Sequence, residues 1–406
     1  MHNIKFFRRV LRRLQYWASW RCQEPVLVFE SDDWGLRRRA SSVLLEQVGK
    51  PGQWADEELE TPDDLEKLYS VLEQYRDPHD RPACFVANFV MAVPDFEGIA
   101  RSSFTTYVDI PLGEASAPSL KAKWLEGYAR RVFFPQYHGR AHLYPDRWLQ
   151  DLRDDVPGAR LLFEAGCVGG LSLLDREGWR YHSEYMNWKL GQPLSGKKLQ
   201  NWLQSGLASF QDLFGFRSQS TIAPHYIFTR ETLQAWRQGG IRFIQGTNYE
   251  LVRLPDGNYS AISATLGQRW NGLMLMSRTA KFEPRPQRAD QGLNHALSQM
   301  RGCFATRIPA VVDTHRINYS GAWRDSSVQA LETLLSIAAQ HRPYVLTTVE
   351  LGEAILNNGA YCDVFTGKRR QLTSLDTPAR RALRYMLQVY HSAVVANAEK
   401  RGLSLS

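Results

Sequence analysis

Two histidines stand four residues apart in His138-Gly139-Arg140-Ala141-His142. The chain has only ten His in 406 residues. On a helical turn that spacing puts both imidazoles on one face, close enough to share a cation. A carboxylate pair, Asp32-Asp33, sits within the stretch Glu30-Ser31-Asp32-Asp33-Trp34-Gly35, directly after the apolar run Pro25–Phe29. At a strand end the chain turns, so both acids can reach one site, one binding a metal and the other taking a proton. His315 follows a second strand-like run, Ile308–Val312, through Asp313-Thr314. An imidazole with an unperturbed pKa of about 6.5 can act there as general acid or base. In Ser218–Tyr226, Pro224 at a strand exit can aim backbone N–H groups near His225 into an oxyanion site. Taken singly, each motif also reads as a polar turn, a surface pair or a loop histidine.

Elements that could position these residues alternate along the chain. Short apolar runs at 25–29, 83–91, 132–134, 241–244, 308–312 and 344–349 read as strands. Helix signals lie between them. Thr61-Pro62 with Asp64 gives a cap, an N1 proline and an N3 acid. Pro145–Leu152, Thr229–Arg237 stopped by Gly239-Gly240, a stretch opened by Asp325/Ser326, and Thr377-Pro378 through about Ala396 follow. Alternating strands and helices predict βα units around a parallel sheet, open or closed into a barrel. The stretch 164–214 breaks the alternation and reads as a rim insertion.

The first 21 residues form a basic amphipathic pattern. Ile4, Phe7, Leu11 and Leu14 recur at helical spacing, opposite Lys5, Arg8, Arg9, Arg12, Arg13 and Arg21. Such a helix serves an anionic membrane or packs on its own domain. No continuous apolar core of a secretory signal is present, and no run of roughly 18 uncharged apolar residues predicts a membrane span. Net charge is +8, from 50 Lys+Arg and 42 Asp+Glu. The basic clusters Arg37–Arg39, Lys368–Arg370 and Arg380-Arg381 are short and scattered, so a nucleic-acid partner is not expected. The five Cys form no C-x-x-C pair, which argues against a disulfide framework.

The order of the motifs resembles the polysaccharide deacetylase family, the chitooligosaccharide deacetylase homology domain. Glu30-Ser31-Asp32-Asp33 resembles the family's T-F-D-D, and Ala83-Cys84-Phe85-Val86 its second strand. His138–His142 resembles H-[ST]-x-x-H, Asp313-Thr314-His315 the late L-x-H, and Tyr344–Glu350 the final strand. The resemblance spans about residues 25–356 and implies a distorted (β/α)7-type barrel. Residues 1–24 would be a basic N-terminal helix and 357–406 a helical C-terminal extension. It also implies removal of an N- or O-acetyl group from a sugar with one divalent metal, zinc first and Co, Ni, Fe or Mn as alternatives.

On that resemblance Asp33, His138 and His142 are metal ligands, Asp32 the general base and His315 the general acid. His225, Tyr226, Trp34 and Arg316 would contact substrate or oxyanion. The family's tethering arginine falls at Ile222, leaving Arg217 or Arg316 as substitutes. The D-x-x-D-W motif has no counterpart, and Gly139 stands where the family has Ser or Thr. Two other functions fit the sequence: an inactive barrel serving as a glycan- or membrane-binding scaffold, and an Fe(II) oxygenase built on His182-Ser183-Glu184. The expected partners are an acetylated glycan or lipid-linked sugar and, through residues 1–21, an anionic membrane. The expected location is cytoplasmic, peripheral on the inner membrane face.

Overall fold

The computed structural model describes residues 10–11, 13–36, 59–156, 158–168, 183–187, 192–247, 249–253, 259–263, 265–285 and 291–400. Seven parallel strands form its centre: β1 (Val26–Trp34), β2 (Phe85–Phe89), β3 (Phe133–Tyr137), β4 (Ser220–Ile222), β5 (Phe243–Gly246), β6 (Leu273–Ser277) and β7 (Ala310–His315). Neighbours pair in the ring order β1-β2-β3-β4-β5-β6, and β7 pairs with the other edge of β1. The ring closes at β6. β6 bonds β5 through to Ser277, whereas residues just beyond it, Ala280–Lys281, pair with β7. The switch is abrupt: the Arg278 N–H donates to the Gly246 carbonyl and the Thr279 N–H to the Val311 carbonyl.

Each strand but the last is followed by a helix or a longer crossover before the next strand. Among the helices are α1 (Pro62–Gln74), α2 (Pro118–Ala129), α3 (Gly196–Phe214), α4 (Arg230–Gln238), α5 (Leu293–Thr306), α6 (Arg324–Ala339), α7 (Thr348–Leu356) and α8 (Pro378–Lys400). At the start of α1, Thr61 and Asp64 each accept from the other's backbone N–H, the reciprocal cap its sequence predicts. The apolar core lies between strands and helices, where Trp34, Phe89, Phe133, Trp124 and Phe214 pack ring on ring. The inside of the ring is polar. Gln136 accepts from Ser218, Gln219 and Ser220, and Asn88 bonds both Asp32 and Gln245. Satisfied networks of this kind are affordable in a buried space.

Four expectations change. The stretch 164–214 is not all rim decoration, because α3 packs Phe210 and Phe214 into the core. Residues 344–349 are a strand only over Tyr344–Val345; Thr347 and Glu350 then form a capping box that starts α7. Trp323, not Asp325 or Ser326, is the residue before α6. Finally, the N-terminal helix at 13–18 buries Gln15 and Ala18 and exposes Leu14 and Trp17, so Leu14 does not face the domain. Ile4 and Phe7 lie outside the described residues. Among the described residues no helix is long and apolar enough to cross a membrane.

Candidate metal centre

The C-terminal end of β1 carries both carboxylates because the strand kinks there. Its pairing with β2 shifts register between Ser31 and Trp34, and Asp33 takes a left-handed φ of 69°. Asp32 therefore stays inside the ring while Asp33 turns toward β3. His138 leaves β3 and His142 follows in a loop. That loop is not the helical turn expected from the spacing: Gly139 has φ 89° and His142 φ 50°. The imidazoles converge nonetheless. Asp33 Oδ1 lies 3.2 Å from His138 Nε2 and 3.4 Å from His142 Nε2.

These separations suit a shared ion. Ligand atoms about 2.0–2.2 Å from a tetrahedral zinc are roughly 3.3 Å apart. All three side chains are buried. The other nitrogen of His138, Nδ1, lies 3.0 Å from the Ile222 carbonyl, which orients the ring with Nε2 toward Asp33. The donor set of two imidazoles and one carboxylate fits a borderline metal such as zinc and leaves coordination positions open.

A second acid–histidine group, Asp32, Asp313 and His315, lies beside the first. Its cation is a guanidinium. Arg278 donates to both oxygens of Asp32 at 2.7 and 2.8 Å, to Asp313 at 2.6 Å and to Glu30 at 2.8 Å. Burial alone would raise the Asp32 carboxyl. The charge and hydrogen bonds of Arg278, with His138 and His315, instead hold it below the usual carboxylate range. Burial outweighs the same arginine at Glu30, which is pushed up to about 7.

The imidazole of His315 sits with Nε2 4.0 Å from Asp32 Oδ2, and its Nδ1 meets Glu283 Oε1 at 2.5 Å. Burial would lower its pKa, but the adjacent Glu283 carboxylate, with Asp313 and Asp32, raises it to about 9. Asn318 donates to the other Glu283 oxygen at 3.1 Å.

Arg278 and Glu283 are the residues that sequence reasoning missed. Neither substitute for the tethering arginine holds Asp32: Arg217 donates to Gln211, and Arg316 to the backbone carbonyls of Asp33 and Leu36. The available signals were an arginine two residues after the apolar run Leu273–Met276 and an acid five residues beyond it.

The structure also moves the expected substrate contacts. Trp34 is 1% exposed and donates its indole N–H to Ser31, so it is core. Arg316 is 0% exposed and holds the loop after β1 rather than facing a ligand. The N–H of Tyr226 is spent on the Ala223 carbonyl, so it is not an oxyanion donor, while its hydroxyl accepts from Arg278 at 3.2 Å. The His225 ring stands 5.9 Å from that of His142, beside the metal group. For the oxygenase alternative, His182 lies outside the described residues and Glu184 binds backbone N–H groups. A ring of parallel strands is also not the jelly roll that such chemistry uses.

No family model matches the chain, and no curated protein matches it. Among solved structures it is similar to a CE4 family pseudoenzyme from Bacillus anthracis, with 9% identity and a TM-score of 0.35, covering 80% of this chain and 64% of that one. It is similar at 11% identity and a TM-score of 0.35 to a peptidoglycan N-acetylglucosamine deacetylase, covering 81% and 88%. A 4-alpha-glucanotransferase from Thermococcus litoralis is similar at 8% identity and a TM-score of 0.37, covering 80% and 39%. Thus the chain spans less than two thirds of the length of the first and third of these. Similarity at this level assigns no activity.

Proposed function

We propose that the protein is a metal-dependent hydrolase that removes an acetyl group from an N- or O-acetylated sugar in a glycan or glycolipid. One observation carries the reading: Asp33, His138 and His142 bring their ligand atoms together, and the group of Asp32, Asp313 and His315 lies beside them. A bound divalent cation, zinc being the proposed ion, supplies a Lewis acid for the acetyl carbonyl and lowers the pKa of water. Asp32 accepts the proton of the attacking water as its oxygen bonds to the acyl carbon. His315 donates its proton to the nitrogen or oxygen that leaves as the C–N or C–O bond breaks. Glu283 keeps the imidazolium charged and oriented, and Arg278 keeps Asp32 charged and fixed.

The proposed substrate is carried on a lipid at the cytoplasmic face of a membrane. The termini support this. Leu14 and Trp17 on the N-terminal helix, and Tyr385, Met386, Val389 and Tyr390 on α8, are exposed apolar or aromatic groups. Arg380 lies over the Trp17 ring, so the two helices meet, and exposed Arg13 and Arg381 add positive charge. Aromatic and basic side chains together suit an anionic membrane surface.

The functional test is acetate release from acetylated amino-sugar nucleotides, lipids and polymers by metal-loaded protein. Asp33→Ala and His142→Ala should each lose the metal; Asp32→Asn should keep it and lose turnover. Turnover by Asp32→Asn would remove the base assignment, and metal retention by both other variants would remove the site.

A further inference from the structure

Glu184 does something that no motif assigns. Its short segment, 183–187, crosses beside the loop that carries the two histidines. The carboxylate is fully buried and accepts four hydrogen bonds. Oε1 takes the backbone N–H of Arg140 at 2.8 Å and the indole N–H of Trp202 at 2.7 Å. Oε2 takes the N–H of His142 at 2.8 Å and that of Ala141 at 3.2 Å. Three successive backbone N–H groups aimed at one anion form a nest, a concavity of partial positive charge.

The donor count specifies a carboxylate. Two carboxylate oxygens offer about four lone-pair sites and no donor. A glutamine of the same shape would turn an NH2 group against two of the four N–H groups. The loop is built for this partner. Gly139, where the resembled family has Ser or Thr, has φ 89°, and a Cβ there would lie 2.2 Å from Glu184 Oε2. Glycine thus admits the carboxylate that a hydroxyl-bearing residue would exclude. At the far side of the loop, Arg140 is held by Asp109 at 2.6 and 2.8 Å and lies over the Trp202 ring.

We propose that Glu184 is the positioning residue of the candidate metal centre. It clamps the backbone of residues 140–142, so that His142, which enters with a left-handed φ, presents Nε2 to Asp33. The inference rests on the metal reading only for its affinity readout.

The experiment uses the full-length protein and two readouts. One is Zn(II) and Co(II) affinity against a competing chelator, with the cobalt absorption spectrum. The other is amide hydrogen exchange of residues 140–142 without metal. Glu184→Gln should weaken metal affinity about 10–100-fold, the usual effect of losing an outer partner of a metal ligand, alter the cobalt spectrum and speed exchange at 140–142. Glu184→Ala should behave alike and be rescued by formate, which can refill the nest. Trp202→Phe removes one donor, leaves the carboxylate, and should stay close to wild type in both readouts. The proposal is overturned if Glu184→Gln is folded and keeps wild-type affinity and exchange. It is equally overturned if formate rescues nothing, or if Trp202→Phe loses as much as Glu184→Ala. Should the wild type bind neither metal, the metal reading fails, and exchange at 140–142 with formate rescue still decides the clamp.

Discussion

His315 carries the clearest titration signature in the site. Burial would lower its pKa, but the Glu283 carboxylate beside it lifts it from the ordinary imidazole value of about 6.5 to about 9. A raised histidine pKa stabilises the fold fully below about 6.5, and that contribution is lost as pH rises through about 9. Unfolding by denaturant at stepped pH should show this loss in the wild type and a smaller one in Glu283→Gln. Acetate release should fall as pH rises through about 9, and Glu283→Gln should move that limb to lower pH. An unmoved limb would take the proton donor's role from His315. Arg278 is a second case. Arg278→Met leaves Glu30, Asp32 and Asp313 buried together without their cation and should cost roughly 3–5 kcal/mol, read by denaturant titration. The acids and histidines were legible because reactive side chains at strand exits are visible as residue types. Arg278 and Glu283 were not, since partners brought together by ring closure have no fixed spacing in sequence.

Strands and helices were legible wherever local chemistry and tertiary context agree. Thr61, Pro62 and Asp64 announced α1, and the cap formed as expected. Thr61→Ala should remove one side-chain partner of the first turn and cost about 1 kcal/mol, seen as a lower Tm with metal affinity unchanged. The end of β1 was less legible. Its apolar run stops at Phe29, yet the strand continues to Trp34 with Glu30 and Asp32 fully buried. Hydrophobicity cannot report a strand whose inward residues are acids held by one distant arginine, Arg278. The run 344–349 failed for the opposite reason. Its β-branched residues look extended, but the reciprocal cap of Thr347 and Glu350 commits the second half to a helix. The histidine pair was found through the wrong local geometry: spacing suited to a helix is realised in a loop that needs Gly139 and a distant carboxylate.

At the scale of the whole molecule, alternation of strands and helices predicted βα units, and the resemblance predicted the sevenfold ring. What could not be read is how the ring closes, since the chain just past β6 changes partners within two residues. The outer surface gives a separate prediction. Vesicles rich in anionic lipid should retain the protein and neutral vesicles should not. Deleting residues 1–21, or replacing Tyr385 and Val389 with Glu, should release it in a sedimentation assay. Retention of both variants would exclude the terminal helices as the membrane contact.

The partner exchange just past β6 falls at Arg278, the same residue that fixes Asp32. A molecule whose last seam has not zipped would keep most of its helices and strands while Asp32, the proposed base, hung untethered. Chemical competence would then report on completion of the ring, and a substitution weakening only that seam would yield protein that is abundant, nearly native by circular dichroism, and silent.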